Sequence, residues 1–272
     1  MRLFLIPIST RRTLLYCKKA TSGAVAELSY LDRITNKASA TWVKWEEADG
    51  GWKKALTTYG HRVLQRIPYE EWGLKSVPPL NARREAHELQ SQKPIELLYP
   101  ENVIRESRVL GMLRTLATER QDLHRRRMWW SLGVAPLTAP IALIPVIPNI
   151  PFFYLAYRGW SHWRALRGSQ HLEFLLNHRL VQPISSPALE HLYSRHSGLI
   201  RDNSAVETAN EKAVPDPITQ LEPPDEQILL DIADGKALAK MLDAPELHVE
   251  VERAVAQVQK LLNHGKGTNG CF

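Results

Sequence analysis

The sequence has almost no cysteine: Cys17 and Cys271, near opposite ends, are the only two in 272 residues. Two thiols so placed build neither a disulfide framework nor a zinc site, which fits a reducing or mitochondrial matrix setting. Also missing is every short pattern that catalysis needs at a fixed spacing: the chain has no glycine-rich phosphate loop, no HExxH, no CxxC pair and no nucleophile elbow. The expectation is a protein that is not an enzyme, with no catalytic residue, no cofactor and no metal ligand. Acidic residues are absent before Glu27, while Arg2, Arg11, Arg12, Lys18 and Lys19 stand there among serines and threonines, which is transit-peptide composition. The apolar residues of RLFLIPI and TLLYC nevertheless form strand-like runs around the polar turn Ser9 to Arg12, so a β-hairpin with basic exposed positions is expected ahead of a cleaved presequence. The run Leu3 to Ile8 is shorter than a secretory h-region.

Composition is otherwise ordinary: 44% hydrophobic and 24% charged residues exclude a wholly disordered chain and a multi-span transporter. A net charge of +6 favours acidic partners, either anionic lipid or nucleic acid. The expected fold is mainly α within an α+β class. Residues 1–127 form an N-terminal α+β region, with helices over Gly23 to Arg66 carrying Trp42, Trp45 and Trp52 as core. Pro78 and Pro79 break the chain, KPIELLYP (93–100) can join the hairpin in a small sheet, and Val103 to Arg127 reads as helix. A short strand, LVQPI, and a helix opening at Pro187 occupy 179–200. Residues 201–226 hold four prolines and a run of acids with few apolar side chains, the composition of a flexible linker. Helical periodicity returns in a C-terminal module over 227–264.

One segment stands out. Met128 to Tyr157 has 30 residues without a charged or histidine side chain, more than the roughly 18 that flag a membrane helix. Arg125, Arg126 and Arg127 precede it and Arg158 follows, while Trp129, Trp130, Tyr154, Tyr157, Trp160 and Trp163 cluster at its ends. Aromatic belts with cationic anchors mark a bilayer interface. Five prolines interrupt the segment, so a straight span is doubtful. The densest break, with Pro145, Pro148, Asn149 and Pro151, predicts the turn of a helical hairpin whose second arm runs on to about residue 178. Both basic ends then lie on one side. The competing reading is a buried core hairpin. His162, His171 and His178 are nine and seven apart on that second arm, which suits helix-surface or interfacial histidines better than a ligand set.

The opening MRLFLIPISTRRTLLY and the block PVIPNIPFFYLAYRGWSHWRALRGSQHL resemble the fungal family called mitochondrial potassium/proton exchange-related proteins. The resemblance runs from Met1 to about His196 and implies an inner-membrane protein tied to export of potassium in return for protons, with soluble parts facing the matrix. It brings no catalytic residues. Coupled movement of a cation and a proton needs an ionisable group in the membrane, and Met128 to Tyr157 offers none. The expectation is therefore a subunit or regulator of an exchange system, or a homo-oligomer, acting on potassium and protons indirectly. Two alternatives come from other classes: an assembly or scaffolding factor, and a matrix RNA-binding protein using the basic stripe. Nucleic-acid readers spread basic and aromatic residues over a folded face, whereas here they crowd the ends of an uncharged segment, where cardiolipin head groups would meet Arg125 to Arg127 and Arg158.

Overall fold

The computed structural model describes residues 1–18, 51, 66–91, 93–143, 150–194 and 226–268. Contacts divide the chain into Met1–Lys19 with Tyr69–Phe272 and, separately, Ala20–Pro68. The sheet and the helices packed on it belong to the first unit. The helices expected over Gly23 to Arg66, Trp42, Trp45 and Trp52, the acidic stretch up to Asp225, and Pro145, Pro148 and Asn149 lie outside the described residues.

The two N-terminal apolar runs form strands β1 (Arg2–Pro7) and β2 (Thr13–Lys18), paired antiparallel around the Ser9 turn. The KPIELLYP run supplies β3 (Ile95–Tyr99) and LVQPI supplies β4 (Val181–Ser185), giving a mixed sheet in the order β2-β1-β3-β4 with both later pairings parallel. Pro183 sits in the edge strand, where a missing N–H leaves no ladder bond unmade. Helices α1 (Tyr69–Ser76), α2 (Ala82–Ser91), α3 (Glu106–Thr118), α4 (Gln121–Val134), α5 (Ile150–Asn177), α6 (Pro187–Ser194), α7 (Asp234–Met241) and α8 (Pro245–Thr268) complete the unit. The fold is mainly helical with one small sheet, as expected for an α+β chain.

Successive side chains of a strand point to opposite faces, and both faces of this sheet are covered. Leu3, Leu5, Leu15 and Leu97 face a core with Leu74, Val109, Leu113, Ala165 and Leu172. Phe4, Ile6, Leu14 and Tyr16 face a second one, with Leu189, Tyr193, Leu238, Leu247, Val251 and Val255. Two-sided burial explains why RLFLIPI reads as an unbroken apolar run. The hairpin's basic positions are uncovered, as expected: Arg2 and Arg11 are exposed and Arg12 and Lys18 half-buried, while β1 beyond Arg2 and β2 before Lys18 are buried throughout. The chain rejoins the sheet after residue 225: Leu229 N–H donates to the Ile8 carbonyl at 2.9 Å, and Arg12 pairs with Glu226 at 3.0 Å. Residues beyond Glu226 thus pack on the second face.

Candidate functional site

The arginine-rich helix expected over Val103 to Arg127 is two helices, broken at Glu119 and Arg120. The break sends the Arg120 guanidinium to Glu70 at 2.9 Å. Helix α4 then runs into a 3₁₀ segment, Ala135–Leu143, with Pro140 inside it, where a proline can supply no amide donor. Helix α5 begins at Ile150 with Pro151 in its first turn. The described residues of the uncharged stretch are therefore shared among the end of α4, the 3₁₀ segment and the start of α5. Among the described residues, no helix is long and apolar enough to cross a membrane.

Helix α4 packs along α5, with His124 meeting His162 and Leu132 lying against Gly159, so the two run in opposite directions. At the far end of this pair the apolar side chains are uncovered: Trp129 is 66% exposed, Trp130 69%, Leu137 76% and Phe153 66%. Phe152, Tyr154 and Tyr157 are exposed beside them. Arg125, Arg126 and Arg127 project to solvent next to this end, Trp160 and Trp163 are half-buried, and Pro151 is exposed. Arg158 departs from the expected anchoring role. Its side chain is 13% exposed and turns inward.

Arg158 points at a buried polar cluster that reading along the chain does not find. Its two terminal nitrogens donate to the two oxygens of Glu71 at 3.0 and 3.2 Å. Glu71 is itself 2% exposed, accepts from the Ser161 hydroxyl, and lies 3.9 Å from the Lys75 ammonium, which donates to Ser161 at 3.0 Å. Burial acts to raise Glu71, yet Lys75, the Ser161 hydroxyl and Arg158 together hold its carboxyl below the ordinary carboxylate range. Arg158 also reaches the His162 Nε2 at 2.9 Å, and His162 Nδ1 lies 3.0 Å from His124 Nδ1. The guanidinium can only donate, so His162 Nε2 is an acceptor and its proton is on Nδ1. That proton is donated to His124 Nδ1, which places the His124 proton on Nε2, a buried atom with no hydrogen-bond partner among the described residues. His162 and His171, expected at a helix surface or an interface, are both buried between helices; His171 sits against the Pro78 carbonyl and the Glu88 carboxylate at 2.8 Å each. The α1–α2 connection covers His171, whereas α4 and α1 cover His162 through His124 and Glu71.

Glu71, His124 and His162 bring ligand-type atoms within 4.8 Å of one another, a spacing a metal ion tolerates. Their partners do not suit one. His162 Nδ1 carries a proton where a metal needs a lone pair, and both carboxylate oxygens are taken by a guanidinium with an ammonium beside it. A divalent cation would add charge to a cluster that already holds two cations against one anion.

Burial, with help from Arg120, Arg127 and Arg158 and against Glu71, pushes His124 down to about 4, and burial likewise pushes His162 down to about 4. A histidine held neutral in the fold costs stability only when the unfolded chain takes up protons that the folded one refuses. The contribution of these residues is thus level above the ordinary histidine value and worsens as pH falls from roughly 6.5 toward 4. The urea midpoint is expected to drop across that window, and His124→Phe to flatten the drop; an equally steep fall in the variant would contradict this.

Nothing in the chain announces the cluster, because its members come from three helices far apart in sequence, with Glu71 on α1, His124 on α4 and His162 on α5. The one available signal is the oddity of a histidine immediately before the arginine run.

A family described as mitochondrial K+-H+ exchange-related matches residues 2–176. The chain is 29% identical over 190 residues to an uncharacterized protein of Schizosaccharomyces pombe, covering 70% of this chain and 81% of that one. It is 24% identical over 201 residues to an uncharacterized protein of Saccharomyces cerevisiae, covering 65% of this chain and 62% of that relative's length. No solved structure matches.

Proposed function

The chain belongs to the mitochondrial K+-H+ exchange-related family, and on that premise we propose that it supports potassium/proton exchange at the mitochondrial inner membrane as a subunit or regulator, in a non-enzymatic role. The carrying observation is the uncovered end of α4 and α5, where Trp129, Trp130, Leu137 and Phe153 stand clear of the fold beside Arg125, Arg126 and Arg127. Apolar side chains left this exposed are stabilised by a lipid phase, and guanidinium groups at their border by anionic head groups such as those of cardiolipin. The soluble layers would lie on the matrix side, the side on which the basic residues fall.

A regulatory role suits the chemistry better than transport by this chain alone. Met128 to Tyr157 holds no group that takes up and releases a proton near neutral pH. The carboxylate and imidazoles that lie nearest, Glu71, His124 and His162, are buried against one another and against Arg158. Partner subunits or further copies of the chain would have to supply the path.

Alkaline carbonate extraction of mitochondria tests the membrane reading, since release into the supernatant would remove it. Potassium acetate swelling tests the exchange reading, since unchanged swelling without the protein would do the same. Large apolar side chains withdrawn from water contribute about 1.5–3 kcal/mol each. The double variant Trp129→Ser/Trp130→Ser is therefore expected to weaken binding to anionic vesicles on the order of a hundredfold or more. An unchanged affinity would show that this end does not meet lipid.

A further inference from the structure

Helices α4 and α5, which carry the uncovered apolar end, are joined nearer the sheet by the contact between two buried histidines, His124 and His162, 2% exposed each. Every nitrogen of that pair has an assigned state. His162 Nε2 accepts from Arg158, His162 Nδ1–H donates to His124 Nδ1, and His124 Nε2–H has no acceptor among the described residues. An additional proton must therefore land on His124 Nδ1 or on His162 Nε2, both already in use as acceptors. Either choice turns a hydrogen bond into two opposed donors and sets an imidazolium beside a guanidinium.

We propose that the His124–His162 pair is a proton-sensitive latch: taking up a proton releases α4 from α5 and enlarges the apolar surface offered to the bilayer. The latch rests on the membrane reading and gives it a regulation.

The charges around the pair set its direction. Arg120 and Arg127 on α4 and Arg158 on α5 oppose an added proton, while Glu71 on α1 favours it; Lys75 on α1, and Glu250 and Arg253 of α8 through Lys75, act at one remove by way of Glu71. Glu71 Oε2 lies 3.8 Å from His162 Nδ1, but its two oxygens already accept from Arg158 and Ser161, so the proton is accommodated by separation and not by a new hydrogen-bonded ion pair. Once in solvent, both imidazoles return toward the ordinary histidine value, roughly 6.5. The open form is thus favoured progressively as pH falls below that value. Separation also uncovers Leu132 and Ser131, which lie against Gly159 of α5, and Met128, buried one turn after His124 on the same face of α4, so the newly exposed face is mostly apolar.

Binding of the purified full chain to phosphatidylcholine vesicles, read at pH 7.5 and pH 5, tests this. The zwitterionic surface does not reward the charge that exposed histidines gain. The wild type is expected to bind tenfold tighter or more at pH 5, with the protection of α4 amides, relative to their free exchange rate at each pH, lowered to match. The variant His124→Gln/His162→Gln, whose amides can still pair but cannot titrate, is expected to lose both responses. A wild type with α4 protection unchanged between the two pH values overturns the latch, as does a variant that keeps the full response. Where that variant does not fold, His124→Asn alone is read in the same way. Amide exchange requires no membrane, so it decides the latch even where vesicles of every composition fail to bind, an outcome that would remove the membrane reading instead.

Discussion

Glu71→Leu is expected to be among the most damaging substitutions in the protein, lowering stability by about 3–5 kcal/mol in urea unfolding of the full chain. The leucine fills a similar volume, so the loss is electrostatic. Removing the carboxylate leaves the Arg158 guanidinium and the Lys75 ammonium buried, 13% and 14% exposed, without the anion that both face. It also leaves the Ser161 hydroxyl without its acceptor. Two buried cations with no counter-charge draw in water or drive α1 and α5 apart. Glu71→Gln keeps an acceptor oxygen for Ser161 but not the charge, and is expected to fall between the wild type and the leucine variant. The double variant Glu71→Leu/Arg158→Met is expected to cost less than the sum of its two single changes, because each single change strands the partner of the other. Additive costs, or a loss under about 1 kcal/mol for Glu71→Leu, would show that the cluster is solvated and contributes little.

The same dependence on distant partners decides which features are legible in the sequence. Elements whose apolar pattern is local can be read there: the N-terminal hairpin, the β3 run bounded by prolines, the edge strand containing Pro183, the helix opening at Pro187, and the long helix beyond Pro151. Helix α8 follows its periodicity, with Leu247, Val251, Val255 and Val258 all buried. Features fixed by remote partners cannot be read. Helix α1 has little amphipathic signal of its own, and its Gly73 and Glu71 are explained only by β2 and α5. Arg158 looks like a lipid anchor because it follows an apolar run, yet a buried carboxylate 87 positions earlier claims it. Histidine spacing along α5 argues against a site within that helix, and the partner of His162 is on α4. Trp129 and Trp130 can be placed at the surface because exposure needs no partner; the buried cluster is unreadable because its members meet across three helices.

Gly168→Ala is expected to destabilise the fold, although alanine in a helix interior ordinarily stabilises by about 0.5–1 kcal/mol relative to glycine. A Cβ at Gly168 would lie 2.0 Å from the Leu74 carbonyl oxygen and 3.4 Å from that of Val77. Both are backbone atoms at the end of α1, so no side chain can swing aside and the helices themselves must separate. Overpacking of this kind costs on the order of 1–3 kcal/mol. Here the displacement also pulls His171 Nδ1 from the Pro78 carbonyl, 2.8 Å away. Gly111, on α3, supplies the control: a Cβ there meets nothing within 4 Å, and Gly111→Ala is expected to raise the urea midpoint. Opposite signs for one and the same substitution would establish that α5 lies directly on the backbone of α1, whereas stabilisation by both would place the two helices further apart. The consequence reaches the polar cluster. Glu71 and Lys75 belong to α1 while Arg158, Ser161 and His162 belong to α5, so the close approach that only glycine permits at position 168 is what brings carboxylate and guanidinium within hydrogen-bonding distance.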